Sequence, residues 1–337
     1  MPSSRCAGSP LSACRSSTPS REVALRHGRA HDVRALGFQT LQLRQGAGHL
    51  CSEQLFAVSS SIMQLLKRLY SRSRRAVRGL GWKLLWPTAA RVPIAFAPGH
   101  FYSPIPSRSD IDQFTECDIV GIDLHTSEQL RFLDELDISL ISGPRYGQKN
   151  LTFGASDAAV YQAMVRRFLP AQVIEVGCGY STAALFDAGV VGKVTLIDPD
   201  TTVVEGLLSR DDLARCVVLK CRLQEVPIGS FLALRENDIL FIDSTHVSKL
   251  GSDVNRLFFE ILPALSPGVL IHIHDIFYPF EYPLQWRKDG RGWNEAYLLR
   301  AFLQFNANFR IILWPSMLDR LGHDGLADSG SIWLQKQ

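Results

Sequence analysis

No run of about 18 apolar residues occurs in the 337-residue chain, so no single helix is expected to span a bilayer. No short apolar core follows the first methionine, so no secretory signal is expected. No Cys-x-x-Cys pair occurs, and the seven cysteines, at positions 6, 14, 51, 117, 178, 216 and 221, are odd in number. That argues against a disulfide frame and for reduced thiols in a cytoplasmic type of compartment. Acidic residues are scarce at one end: residues 1–92 carry 15 Lys/Arg and 3 Asp/Glu, whereas the rest carries 21 and 30. The acidic remainder offers no electrostatic footprint for nucleic acid. The basic end suits an acidic membrane surface or a targeting role.

What is present is a composition 46% hydrophobic and 20% charged, that of a globular chain. Residues 1–62 are rich in Ser, Arg, Gly and Ala and poor in aromatics, which predicts disorder. Their character also fits an organelle transit peptide. A third reading, favoured because pattern begins there, makes Met63 the true start. Residues 63–92 read as a basic amphipathic helix. Leu65, Leu66, Leu69, Val77, Leu80 and Leu84 alternate with Arg72, Arg74, Arg75, Arg78 and Lys83 over 63–86. Such a helix lies at a membrane interface or leans, solvated, on the rest of the chain. Residues 93–150 form a proline-rich lead-in or cap. Thr126 with Gln129 marks a capping box there, and Tyr282 to Trp293, later on, forms a lid or an ordinary surface loop.

Residues 151–337 alternate strand and helix patterns. Seven strands are expected, around 173–176, 194–198, 216–221, 239–243, 268–274, 309–314 and 331–335. This predicts a doubly wound α/β sheet, mostly parallel, with the last strand antiparallel and no clear helix between the final two. Ser156 or Asp157 is the expected cap of the helix before the first strand.

The stretch Val173-Ile-Glu-Val-Gly-Cys-Gly-Tyr-Ser-Thr182 organises the rest. A buried strand is followed by a glycine turn and a helix capped by Ser181, the opening half of a nucleotide-binding unit. The dinucleotide spacing G-x-G-x-x-G fails, because Thr182 holds the third glycine position. Asp198 ends the second strand, where a carboxylate accepts protons from ribose hydroxyls. Strand four ends in Asp243-Ser-Thr-His246 and strand five in His272-Ile-His274-Asp275. In such a sheet these ends share one crevice. Asp243, His246, His274 and Asp275 therefore gather, and acids with histidine suit a divalent cation such as Mg²⁺ or Mn²⁺. His272, further upstream, reads as a packed core residue.

Glu175-x-Gly177-x-Gly179-x-Ser181 resembles motif I of the class I S-adenosylmethionine-dependent methyltransferases. With Asp198, Phe241-Ile-Asp-Ser-Thr-His246 and His274-Asp-Ile276, residues 150–337 are similar to the group called methyltransferase family 24. The resemblance implies S-adenosylmethionine held by Glu175, Gly177, Cys178, Gly179, Tyr180, Ser181, Asp198 and Asp243. Gln224 either meets the adenine or lies in a surface loop. Asp157 is a helix cap or touches the cofactor. Asp-x-x-His is also similar to metal-dependent sugar O-methyltransferases, in which the Asp holds Mg²⁺ and the His is the general base. Here that implies catalytic His246 and Asp243 with a metal at Asp243, His274 and Asp275. Paired acids end strand five in those enzymes, and His274 departs from that. The implied acceptor is a sugar or small hydroxylated metabolite. An NAD-type oxidoreductase and a non-catalytic scaffold are the competing readings.

Overall fold

A computed structural model of the chain describes residues 96–139, 143, 145–147, 150, 152–327 and 329–337. The readings for 1–62 and 63–92, including the membrane-facing helix, lie outside the described residues. Residues from Val92 to Gln337 belong to one compact unit.

The seven expected strands are β1 Gln172–Val176, β2 Lys193–Ile197, β3 Cys216–Leu219, β4 Ile239–Ile242, β5 Leu270–His274, β6 Phe309–Leu313 and β7 Ser331–Lys336. They form one sheet in the order β3-β2-β1-β4-β5-β7-β6. β1 to β5 pair in parallel, and β7 runs antiparallel between β5 and β6. The doubly wound expectation therefore holds, including the reversed last strand. β4 and β5 are buried along their whole length, as parallel strands covered on both faces must be. Their residues, Ile-Leu-Phe-Ile and Leu-Ile-His-Ile-His, are apolar except for the histidines.

Several local expectations change. The helix after β1 spans Tyr180–Asp187 and its N-cap is Gly179, so Ser181 lies two residues past the cap, within the first turn, and is buried. The helix Ala155–Phe168 starts at Gly154. Asp157 is no cap. Its carboxylate is 3% exposed and accepts from Ser329 Oγ at 2.5 Å, Ser331 Oγ at 2.7 Å and Gly330 N at 3.1 Å. It thereby pins the start of β7 to the helix that crosses the sheet. The helix Thr126–Glu135 has no capping box, because its N-cap is His125 in the left-handed region. Gln129 instead accepts from the Trp314 backbone at 2.6 Å and ties this lead-in helix to the end of β6. A short helix, Pro315–Arg320, does follow β6. Its proline sits at the first turn, where a missing N–H is harmless. The helical stripe from Val254 to Leu265 is broken by one π-turn, Leu257–Ile261. Pro263 comes two residues after its end, and a proline ring crowds the carbonyl four residues earlier, which favours a wider turn just before it.

Arg145 fastens the lead-in to the unit. It forks onto Asp212 at 2.8 and 2.9 Å and reaches Asp187 at 3.0 Å. The Tyr146 hydroxyl then donates to the Phe153 carbonyl at 2.8 Å. The Phe153 ring is thereby seated 5.2 Å from that of His274.

Candidate functional site

β1 and β4 are neighbours whose following connections leave in opposite directions along the sheet, and the crevice beyond their carboxyl ends is where α/β sheets bind ligands. Gly177 sits at that point with φ +83°, and a Cβ built on it would lie 1.8 Å from the Asp243 carbonyl oxygen. Its N–H donates to Ile197 O at 2.9 Å, and Asp243 N donates to Val176 O at 2.9 Å. The turn is thus pressed against the ends of β2 and β4 at once, and only glycine fits.

Behind the turn lies a buried polar network. Thr182 Oγ1 accepts from Gly179 N at 3.2 Å and donates to Glu175 Oε2 at 2.5 Å, while the Tyr161 hydroxyl donates to Glu175 Oε1 at 3.1 Å. The residue in the third glycine position therefore ties the turn to β1 with its hydroxyl. Glu175 is fully buried. Burial pushes its carboxyl up to about 7 from 4.5, against the pull of its two O–H donors. The stability it contributes is present below about 4.5 and is lost as pH rises through about 7. Glu175→Gln should flatten that fall, a difference of roughly 3 kcal/mol. Melting curves over this range test it, and equal slopes in the two proteins would contradict it.

In front of the turn is a cavity of about 310 Å³, lined among others by Gly177, Asp198, Gln224, Asp243 and Asp253. Asp198 accepts from Cys178 N at 3.1 Å and Asp200 N at 2.8 Å, which fixes its carboxylate at the cavity wall. Gln224 donates to Gly251 O at 2.8 Å. Of the nine residues assigned to a cofactor from the sequence, Gly177, Asp198, Gln224 and Asp243 line this space. Cys178 and Gly179 shape the turn, and burial raises the Cys178 thiol well above its usual range. Tyr180 and Ser181 open the helix behind it. Glu175 works from beneath the turn, not from the cavity wall.

Asp243 also belongs to a second cluster. His246 Nε2 lies 3.3 Å from Asp243 Oδ1 and 3.4 Å from Asp275 Oδ2. Donor atoms of the three residues lie within 4.8 Å of one another. Both His246 (φ 58°) and Asp275 (φ 59°) adopt the left-handed conformation, which L-residues avoid at a cost of about 1–2 kcal/mol. Such strain persists only where the surroundings impose it. Here Thr245 is held by Asp253 through bonds of 3.0 and 2.7 Å. The His246 carbonyl accepts from Asn294 N and Glu295 N at 3.1 and 3.2 Å.

The sequence reading missed Glu295. It is 0% exposed, and its Oε2 lies 2.9 Å from His246 Nδ1. It opens the helix Glu295–Leu303, where an acidic first-turn residue passes as a routine helix signal. Nothing in its local sequence marks a partner 49 residues away. Burial opposes charge on His246, yet bonds to Asp243 and Glu295 and the fields of Glu295 and Asp275 outweigh it, raising the imidazole to about 10. Asp243 is held below the usual carboxylate range: its own burial is overcome by the bond to His246 and the nearby histidines. Asp275 is raised, mainly by burial.

His274 stands apart from the convergent set. Its Nε2 is 3.7 Å from Asp275 Oδ1, and its Nδ1 has no hydrogen-bond partner among the described residues. His272 is a core residue, as expected, stacked 4.0 Å from the Phe241 ring with an interplanar angle of 7°. The expected lid segment folds as a short helix, Leu284–Lys288, and a turn. Trp293, which follows, rests its ring 4.4 Å from His246.

Residues 174–276 match the family described as a methyltransferase domain. An uncharacterised protein of Archaeoglobus fulgidus is 31% identical over 170 residues, covering 43% of this chain and 76% of that one. Over residues 174–276 the chain carries a methyltransferase domain. The span matched to the methyltransferase domain runs from β1 to just past β5, so it contains Gly177, Asp198, Asp243, His246 and Asp275 but not Glu295. Among solved methyltransferases, the chain is similar to the O-methyltransferase TomG of Streptomyces achromogenes, involved in tomaymycin synthesis and determined with S-adenosylmethionine. The identity is 13%, over 68% of this chain and 94% of that one, with a TM-score of 0.39. It is also similar to the Bacillus cereus O-methyltransferase determined with the demethylated product, with 15% identity over 68% and 96% of the two chains and a TM-score of 0.37. Among the described residues, no helix is long and apolar enough to cross a membrane.

Proposed function

We propose that the protein transfers a methyl group from S-adenosylmethionine to a hydroxyl of a sugar or small hydroxylated metabolite. The observation that carries this is Asp243. It lines the cavity beside Gly177 and Asp198 and also belongs to the buried Asp243–His246–Asp275 cluster. A nucleotide in the cavity and an acceptor at the cluster would therefore meet at one side chain.

The residues fit the donor. Asp198 presents a fixed carboxylate for two ribose hydroxyls, and Gln224 stands at the wall after β3 for a base. S-adenosylmethionine supplies an already activated methyl group. The protein must bring the acceptor oxygen in line with it and take its proton. His246 Nε2 is the atom placed to accept that proton, and Glu295 on Nδ1 fixes the ring and stabilises the imidazolium that results. Trp293 shields the ring from one side.

The donor set of two carboxylates and an imidazole also suits Mg²⁺ or Mn²⁺, held by Asp243 and Asp275 with His246 or His274 beside them. A divalent cation there would lower the pKa of a hydroxyl and orient it. With His246 near 10, activity without added metal should rise with pH toward that value, since a base acts only when deprotonated. Added Mg²⁺ should move the rising limb to lower pH, because a nearby cation disfavours the imidazolium. Rates measured from pH 6 to 10.5 after chelation, with and without Mg²⁺ or Mn²⁺, test this. A profile indifferent to both ions would leave the histidine alone as the proton acceptor.

A further inference from the structure

We propose that the acceptor carries an anionic group, a carboxylate or a phosphate, near the hydroxyl that is methylated, and that Arg291 recognises it. This rests on the methyltransferase reading above and names the class of its substrate. Trp293 links the two sites: its ring stands 4.4 Å from His246, and the Arg291 guanidinium lies 4.7 Å from the centre of the same ring. Arg291 also lies 4.1 Å over Trp286, in the corner that the two tryptophans make by meeting edge to face at 81°.

The corner is rigid. Trp293 meets Tyr282, whose hydroxyl accepts from Ala296 N at 3.0 Å, and Trp286 meets Phe277 edge to face. A guanidinium stacked on aromatic rings uses its faces and leaves its N–H edge for planar oxyanions, which it binds in pairs of hydrogen bonds. Arg291 is exposed, so that edge faces solvent beside the site. The local charge supports the same reading. Residues 93–337 carry 21 Lys/Arg against 30 Asp/Glu, yet Arg287, Lys288 and Arg291 fall within five residues. An anionic acceptor placed beside Asp243, Asp275 and Glu295 would be repelled unless a cation held its far end. An acceptor with its hydroxyl at His246 and its anion at Arg291 satisfies both requirements.

The test uses the full chain loaded with S-adenosylhomocysteine and titrated with glucose, glucuronate, glucose 6-phosphate and phosphatidylinositol vesicles. At least one anionic probe should bind roughly tenfold more tightly than glucose, the gain of a charge-assisted bond. Arg291→Ala should remove that preference without changing affinity for S-adenosylhomocysteine, and Arg291→Lys should restore part of it. A preference confined to the soluble probes assigns the anion to a free metabolite. Vesicle binding lost in Arg291→Ala assigns it to a lipid headgroup. No preference for any anionic probe, or one that survives Arg291→Ala, overturns the proposal. Failure to bind S-adenosylhomocysteine at all would strike the methyltransferase reading instead.

Discussion

His246→Ala is expected to lower methyl-transfer turnover by roughly 10²–10⁴-fold, the range typical of a lost proton acceptor. Affinity for S-adenosylhomocysteine should change little, because His246 does not line the nucleotide cavity. The separation of effects follows from geometry. Nε2 faces Asp243 and Asp275, and Nδ1 faces Glu295. Removing the ring also leaves the 0%-exposed Glu295 carboxylate without its partner, so some loss of stability is expected. Glu295→Gln separates the two consequences. It keeps a polar group of the same shape at Nδ1 but no longer offsets the positive charge of the ring. Its rising pH limb should therefore lie below that of the wild type, with a smaller loss of rate at high pH. Steady-state rates in both variants check this. Wild-type turnover in His246→Ala would remove the base assignment.

Among the described glycines, Gly177→Ala should be the most damaging single-methyl change. The new Cβ would meet the Asp243 carbonyl oxygen at 1.8 Å while the backbone stays at φ +83°. The conformational penalty is about 1–2 kcal/mol, and forcing β1 and β4 apart adds about 1–3 kcal/mol. The separation would also move Asp243, so nucleotide affinity and turnover should both collapse. Gly189→Ala is the matched control. Gly189 has φ +80°, and among the described residues beyond its chain neighbours no atom lies within 4 Å of its built Cβ. It should show the conformational penalty alone, with nucleotide affinity intact. Thermal melts and calorimetry on the pair check the contrast. Equal behaviour of the two variants would mean that the close approach at Gly177 plays no part.

The strands were legible in the sequence because β4 is a continuous apolar run, β5 is one interrupted only by His272 and His274, and β1 ends in a glycine turn that few other structures require. Asp198 and Asp243 were legible because strand ends converge in a doubly wound sheet whatever the loops do. Roles within the turn were less so. Glu175 looks like a ligand when read beside Gly177, but Tyr161 and Thr182 draw it beneath the turn. The partner Tyr161 comes from a preceding helix that no local pattern ties to β1. Asp157 looks like a cap, yet its partners, Ser329, Gly330 and Ser331, lie more than 170 residues away. Glu295 was hidden for the same reason. Its meaning comes from the contact with His246, made only when the sheet is assembled. The left-handed backbone of His246 and Asp275 is likewise not fixed by propensity: Asp and His are enriched there, but only a few per cent of non-glycine residues adopt it.

The central claim is that the cavity beside Gly177 holds S-adenosylmethionine, with Asp198 on its ribose. Calorimetric titration of the full chain with S-adenosylhomocysteine, with NAD as the competing ligand, tests it most directly. One site for S-adenosylhomocysteine and no heat with NAD are expected. An affinity loss of roughly 10- to 100-fold is expected in Asp198→Ala, the worth of hydrogen bonds to a charged group. Binding of NAD alone, or unchanged affinity for S-adenosylhomocysteine in Asp198→Ala, would contradict it.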